Sequence, residues 1–313
     1  MNDNEHKNLL IETIDESLGI SDDLKIHANN IIQKLFDNFK EKWNTRKKYD
    51  CYSKFEGSIK EIINSTKVSI FYYCYNFTNK NDYENFKYKY IFDEGRSVYY
   101  DGINHINLNV LSISGKIDNN KLFDTLFHEL EHMYQEIQAK HLLPTSKYYS
   151  KAISDLNSKD KIIKNIAKCI YFSFKFEQDG FINGLYGELM SLDNKIPIVS
   201  FETLKTTTCY QTYLEYNKSL DYIIKNRNNT NIEHILKQYG YKDTEKFIIK
   251  NKKLLKEFLK KIGKVIIKYC DDLRNDVGMT YPKSGIHGIY YIEWFYNKKK
   301  YINFRTWQIR TKK

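Results

Sequence analysis

The sequence has little that would keep a chain from folding. It contains only three prolines in 313 residues and no long low-complexity tract. Because 41% of its residues are hydrophobic and 15% are aromatic, the composition excludes a largely disordered chain. The length suits one large domain or a catalytic domain with an appendage.

Closely spaced cysteines are also lacking. No C-x-x-C pair occurs, which argues against a thiolate metal site, and an odd number of dispersed cysteines argues against a disulfide framework. We expect all five to be reduced core residues: Cys51, Cys74, Cys169, Cys209 and Cys270.

Long hydrophobic runs are missing as well. No segment approaches the roughly 18 apolar residues that a membrane helix needs, and residues 1–19 carry scattered charges without an apolar centre. We therefore expect a soluble, cytoplasmic protein without a membrane partner.

Basic residues outnumber acidic ones and give a formal net charge of +11. A lysine-dense surface attracts nucleic acid without reading its sequence. However, the abundance of lysine, asparagine, isoleucine and tyrosine also fits the bias of an AT-rich genome. No basic-aromatic recognition motif decides between these explanations.

Hydrophobic periodicity predicts an α+β fold. Helices are predicted for residues 21–44, 160–189 and 243–273. An antiparallel sheet is predicted from segments rich in β-branched and aromatic residues, at 67–77, 86–92, 97–102 and 103–114. The tail, 288–310, is interpreted as two strands around a lysine-rich turn.

The last strand of this sheet alternates apolar and amide side chains. Ile106, Leu108 and Val110 are separated by Asn107 and Asn109. Since successive strand residues face opposite sides, one face should be buried and the other polar.

The next helix carries the main chemical signal, His128-Glu129-Leu130-Glu131-His132, an H-E-x-x-H sequence. Helical spacing turns both imidazoles toward one side, where they can bind one zinc ion. Zinc lowers the pKa of its bound water toward 7, and Glu129 can then act as the general base.

Chance alone would produce this motif in about one or two of a hundred such chains. The positions of the histidines on the helix also favour a metal site. The two histidines lie almost opposite the helix's apolar stripe, so they are not core residues of that stripe. The stripe comprises Phe123, Leu126, Phe127, Leu130, Tyr134 and Ile137.

A third zinc ligand is expected on the helix predicted at 160–189. Glu177 occupies a position of its apolar stripe, and a buried carboxylate needs a positive partner. Two histidines and a glutamate are a common catalytic zinc set. Glu188 is the alternative ligand, and a lysine salt bridge is the alternative to zinc. Glycines at 180, 184 and 187 either allow close packing or end the helix.

Residues 66–190, with a mixed sheet, an H-E-x-x-H helix and a later helical glutamate, resemble the gluzincin metallopeptidases of the zincin superfamily. The resemblance implies a zincin-like catalytic domain at 1–195, followed by a helical region at 196–313 with a terminal hairpin. It also implies that the edge-like strand 106–114 pairs with the substrate, with Asn107 and Asn109 contacting it. Four residues are open as oxyanion donors: Tyr186, His141, Tyr281 and His287.

The expected function is that of a zinc-dependent metallopeptidase, which hydrolyses a peptide or protein substrate with a zinc-bound water activated by Glu129. The alternative is a nucleic-acid-associated basic protein with a structural or vestigial zinc site, which binds through the basic helix at 243–273. A structural protein with a chance motif is a third possibility.

Overall fold

The structure, a computed structural model, is α+β. It describes residues 22–49, 52–63, 65–89, 95–100, 103–138, 147–192, 199, 201–276, 300–303 and 308–311. These form two compact units, one within Ile20–Leu143 and Tyr186–Asp193, the other within Pro144–Leu185 and Asn194–Lys313. The predicted domains 1–195 and 196–313 follow other bounds and stay a prediction.

The first unit combines helices with a mixed sheet. Its described helices are α1 (Asp22–Lys42), α2 (Lys80–Lys89) and α3 (Asn119–Gln138). Its strands are β1 (Lys47–Lys48), β2 (Tyr52–Ile63), β3 (Thr66–Phe77), β4 (Gly95–Tyr100), β5 (Ile103–Ile113) and β6 (Lys116–Ile117). Their order in the sheet is β1-β2-β3-β5-β4, and β6 pairs with β5.

The sheet is mixed, as the gluzincin resemblance implied, and not antiparallel throughout as the segment patterns predicted, because β3 and β5 run parallel from Val68–Asn104 to Phe77–Ile113. A parallel pair needs a crossover connection, usually through a helix, and α2 lies in the connection between these strands. The other strand pairs are antiparallel. β5 is also not an edge strand, since β4 pairs with it along Ile103–Leu108 on the side away from β3.

The strand predicted at 86–92 is wrong over its described part, because residues 86–89 belong to α2. Asn79 explains the helix. Its side chain accepts a hydrogen bond from the Asp82 backbone N–H at 3.0 Å and donates one to the Asp82 carboxylate at 2.9 Å. The first of these bonds satisfies a backbone donor that the first helical turn leaves open, as an N-cap residue does. Residues 90–92 lie outside the described residues.

The alternation predicted for β5 is confirmed. Ile106, Leu108 and Val110 are at most 1% exposed, whereas Asn107 and Asn109 are part-buried. The buried face therefore belongs to the core of this unit.

The second unit is mainly helical. Its helices are α4 (Lys147–Asp155), α5 (Lys161–Phe172), α6 (Lys175–Ser191), α7 (Phe201–Thr206), α8 (Thr208–Lys225), α9 (Thr230–Gln238) and α10 (Thr244–Asp276). The last residues of α6, from Tyr186 onward, belong to the first unit. The helices predicted at 21–44 and 243–273 are confirmed as α1 and α10.

The single helix predicted for 160–189 is wrong, because the chain forms α5 and α6 there with a break at Ser173 and Phe174. Ser173 closes α5, since its hydroxyl and its backbone N–H both donate to the Ile170 carbonyl, at 2.7 and 3.1 Å. The Gln178 side chain donates to the Phe172 carbonyl at 2.8 Å. These bonds satisfy carbonyls that the end of a helix leaves without partners.

At the C-terminus, β7 (Lys300–Asn303) and β8 (Gln308–Thr311) form an antiparallel pair. Of the predicted lysine-rich turn, Lys300 belongs to β7, and the rest of that turn and the strand predicted before it lie outside the described residues. None of the described helices has both the length and the apolar content needed to cross a membrane. The four described cysteines, Cys74, Cys169, Cys209 and Cys270, are buried thiols, as predicted.

Candidate metal centre

A tight turn fixes where the motif helix begins. Ser114 and Gly115 link β5 to β6 with φ values of 51° and 80°, the left-handed conformations typical of a two-residue hairpin. Asp118 follows directly, and its carboxylate accepts a hydrogen bond from the Lys121 backbone N–H at 3.1 Å. Its own backbone N–H donates to the Leu111 carbonyl at 2.9 Å. The start of α3 is thus tied to β5.

The apolar stripe of α3 packs as helix phase predicts. Leu126, Phe127 and Leu130 are fully buried, and on the opposite side His128 and His132 are part-buried. Glu129 is only 7% exposed. The two histidines are therefore not fully exposed to solvent.

Gly187 allows a close approach between α6 and α3 within the first unit. A Cβ atom at this position would lie 2.6 Å from the Phe123 carbonyl oxygen and 2.7 Å from Phe127 Cδ2. Side-chain carbons do not approach other atoms this closely, so only glycine permits the observed packing. Because α6 continues to Ser191, the glycines do not end the helix early.

The two imidazoles converge. His128 Nε2 and His132 Nε2 are 2.9 Å apart, and the ring planes are nearly perpendicular at 89°. Burial, with a smaller contribution from the neighbouring His132, holds the pKa of His128 well below its ordinary value. The neutral imidazole that results is the form that binds metals.

Glu177 is the carboxylate grouped with this pair. The ligand atoms of His128, His132 and Glu177 all lie within 4.8 Å of one another. Glu177 is 2% exposed and lies in the first turn of α6, where the helix dipole favours a negative charge. Glu188 is not in this group, because it follows eleven residues later on α6, about 16 Å along the helix axis.

The donor set fits zinc. Two imidazoles and one carboxylate are the protein ligands of many catalytic zinc sites, which leave a fourth position for water or substrate. Two nitrogens bound to one tetrahedral zinc are about 3.3 Å apart, from the usual bond lengths. The observed 2.9 Å is a few tenths of an ångström shorter, a difference that small side-chain rotations can remove.

The predicted oxyanion donors and substrate-binding residues lie partly within the described residues and partly outside them. Tyr186, one of four open oxyanion donors, is 2% exposed, and its ring lies 5.9 Å from that of Phe127. Its place in the packing favours a structural role. Asn107 and Asn109 of β5 pair in register with Phe71 and Tyr73 of β3. Their contact with substrate stays a prediction. The other open donors, His141, Tyr281 and His287, lie outside the described residues.

Two further candidate site residues, Tyr149 and Tyr171, were not predicted from the sequence. Their hydroxyls donate to Glu177 Oε1 and Oε2, at 2.5 and 2.7 Å. Among 27 tyrosines, only their packing around the break between α5 and α6 distinguishes them, and sequence periodicity did not predict that break.

Comparison with known proteins found no protein-family model, curated protein or solved structure that matches the chain.

Proposed function

We propose that this chain is a zinc-dependent metallopeptidase with a zincin-like catalytic site. The observation that carries the proposal is the grouping of His128, His132 and Glu177 within 4.8 Å, with Glu129 adjacent on the same helix. The resemblance to gluzincins supports peptides or proteins as the substrate class.

The chemistry divides between the metal and the chain. When bound, zinc would lower the pKa of a water and polarise the substrate carbonyl. Glu129 would accept a proton from the attacking water as the water oxygen bonds to the carbonyl carbon of the substrate. It would then return that proton to the leaving amine as the C–N bond breaks. Glu129 suits this role because it follows His128 directly on the motif helix and is only 7% exposed.

The strand that would pair with an extended substrate differs from the one predicted. Residues 106–108 of β5 already lie between β3 and β4. Among the described strands, β4 ends the sheet on that side. By the gluzincin resemblance, the edge of β4 that faces away from β5 is therefore the better candidate for binding a peptide backbone.

The catalytic role is tested by Glu129→Gln, with Glu131→Gln as a matched control from the same motif. Cleavage of a mixture of unstructured peptides is followed by mass spectrometry in zinc-loaded protein. We expect Glu129→Gln to retain zinc and lose cleavage by about 10²–10⁴-fold, the usual contribution of a general base, while Glu131→Gln retains both. Equal cleavage by the wild type and Glu129→Gln would refute the proposed role of Glu129.

A second candidate function has its own observation, the exposed lysines of α10. Lys246, Lys250, Lys252, Lys253 and Lys256 are all exposed and would attract phosphate. This function predicts that binding to a mixed-sequence DNA duplex weakens steeply with salt, that charge reversal on α10 abolishes it, and that Glu129→Gln leaves it unchanged. Absence of binding even at low salt would exclude it.

A further inference from the structure

Glu177 receives one tyrosine hydroxyl on each of its carboxylate oxygens. Tyr149, on α4, donates to Oε1 at 2.5 Å, and Tyr171, on α5, donates to Oε2 at 2.7 Å. All three residues belong to the same compact unit. Bonds to both oxygens restrict rotation of the carboxylate about its terminal torsion, which is otherwise broad.

Aromatic packing holds the two donors in place. The rings of Tyr149 and Tyr171 are stacked, with centroids 5.9 Å apart and planes 16° apart. Phe174 and Phe176 lie edge-on to the Tyr149 ring, at 5.2 and 4.9 Å. Side chains locked in this way lose little further freedom when they hold a ligand.

The break between α5 and α6 brings these groups together. Tyr171 is next to the last residue of α5, and Glu177 lies in the first turn of α6. On one continuous helix these two residues, which are six positions apart, would point in directions separated by about 120° around the helix axis. The break at Ser173 and Phe174 interrupts the helix, so the two side chains are not held to that separation and form their hydrogen bond.

Hydroxyl donors have a specific consequence for a buried carboxylate. They satisfy part of its hydrogen-bonding capacity, but neither supplies a positive charge. A lysine in their place would neutralise Glu177 and compete with a cation. The tyrosines instead leave its charge available while they fix its direction, as outer hydrogen bonds do for metal ligands in general.

We propose that Tyr149 and Tyr171 are positioning residues that orient the Glu177 carboxylate as the third metal ligand. This inference rests on the proposed zinc site and extends it to residues outside the H-E-x-x-H motif. Both act through Glu177.

The test uses Tyr149→Phe and Tyr171→Phe in the full chain, with Tyr148→Phe as the control. Tyr148 adjoins Tyr149 in sequence, but its hydroxyl lies near Gly240. Zinc affinity is measured by calorimetry on metal-free protein, and circular dichroism checks the fold. Each substitution at 149 or 171 is expected to weaken zinc binding by about 10–100-fold. Tyr148→Phe is expected to leave it unchanged.

Two further readouts separate positioning from general stability. In a Glu177→Gln background the same substitutions should change zinc affinity by less than about twofold, since residues that act through one partner are not additive. The d–d absorption of the Co²⁺-substituted protein should shift in Tyr149→Phe and Tyr171→Phe. Should one variant fail to fold, the other carries the test.

The possible outcomes are distinct. If Tyr149→Phe and Tyr171→Phe both bind zinc as tightly as the wild type, the positioning role is overturned and the proposed metal site stays intact. Effects of equal size in the Glu177→Gln background also overturn it, because the tyrosines then act elsewhere. A wild type that binds no zinc overturns the proposed site and this inference together.

Discussion

Replacing Gly187 by alanine places a methyl group 2.6 Å from the Phe123 carbonyl oxygen and 2.7 Å from Phe127 Cδ2. Two effects compete. Alanine favours a helix over glycine by about 1 kcal/mol, whereas overpacking of a tight contact costs about 1–3 kcal/mol. Because the nearest atom belongs to the backbone and cannot rotate away, we expect the upper part of that range. The net loss is then about 1–2 kcal/mol.

Urea unfolding of the metal-free protein measures this change, followed by far-ultraviolet circular dichroism. Lys175→Ala is the control, since it lies on the same helix at an exposed position and should change stability by no more than about 0.5 kcal/mol. Phe127→Leu should not rescue Gly187→Ala, because it leaves the contact with the Phe123 carbonyl. A Gly187→Ala protein as stable as the wild type, or more stable, would refute the close-packing argument.

Other regions give two more predictions. Tyr216→Phe removes the 2.6 Å hydrogen bond from that hydroxyl to the fully buried Asn251 Oδ1 and should cost about 1–3 kcal/mol in urea unfolding; an unchanged midpoint would contradict the bond. Burial raises the pKa of the Cys74 thiol from 9.0 to about 12. Because the unfolded thiol ionises first, its contribution to stability is complete below pH 9 and is lost as pH rises from 9 toward 12. Cys74→Ala should therefore show a smaller alkaline loss of stability than the wild type, and equal slopes would contradict this.

The sequence was most informative for α3, where two signals agree. The apolar stripe defines the buried side of the helix, and the i and i+4 spacing directs His128 and His132 together. Each is a local property of one helix, so neither depends on the rest of the fold. The convergence of the two imidazoles could therefore be predicted from the sequence alone.

The prediction of Glu177 had a partly wrong basis. It assumed one helix with a continuous apolar stripe, but the chain breaks at Ser173 and Phe174. Glu177 is nonetheless buried, in the first turn of a new helix and between two tyrosine hydroxyls. Its contacts depend on how α4, α5 and α6 pack, and periodicity along a single segment does not contain that information.

The sheet shows a similar limit. The alternation of Phe86, Tyr88 and Tyr90 with lysines favours a strand, but the capping pair Asn79 and Asp82 begins a helix. Treating this segment as a strand removed the crossover that makes β3 and β5 parallel. Strand β2 was not predicted either, because its charged residues obscure the alternation of buried and exposed positions that β2 shows when it pairs with β3.

The central claim is that His128, His132 and Glu177 bind one metal ion, and zinc titration of metal-free protein tests it most directly. We predict one zinc per chain, with binding lost in His128→Ala and in His132→Ala and weakened in Glu177→Gln. His234→Ala, at an exposed histidine of α9, should bind as the wild type does. A folded wild-type chain that binds no zinc, or a His128→Ala/His132→Ala chain that still binds one equivalent, would contradict the claim.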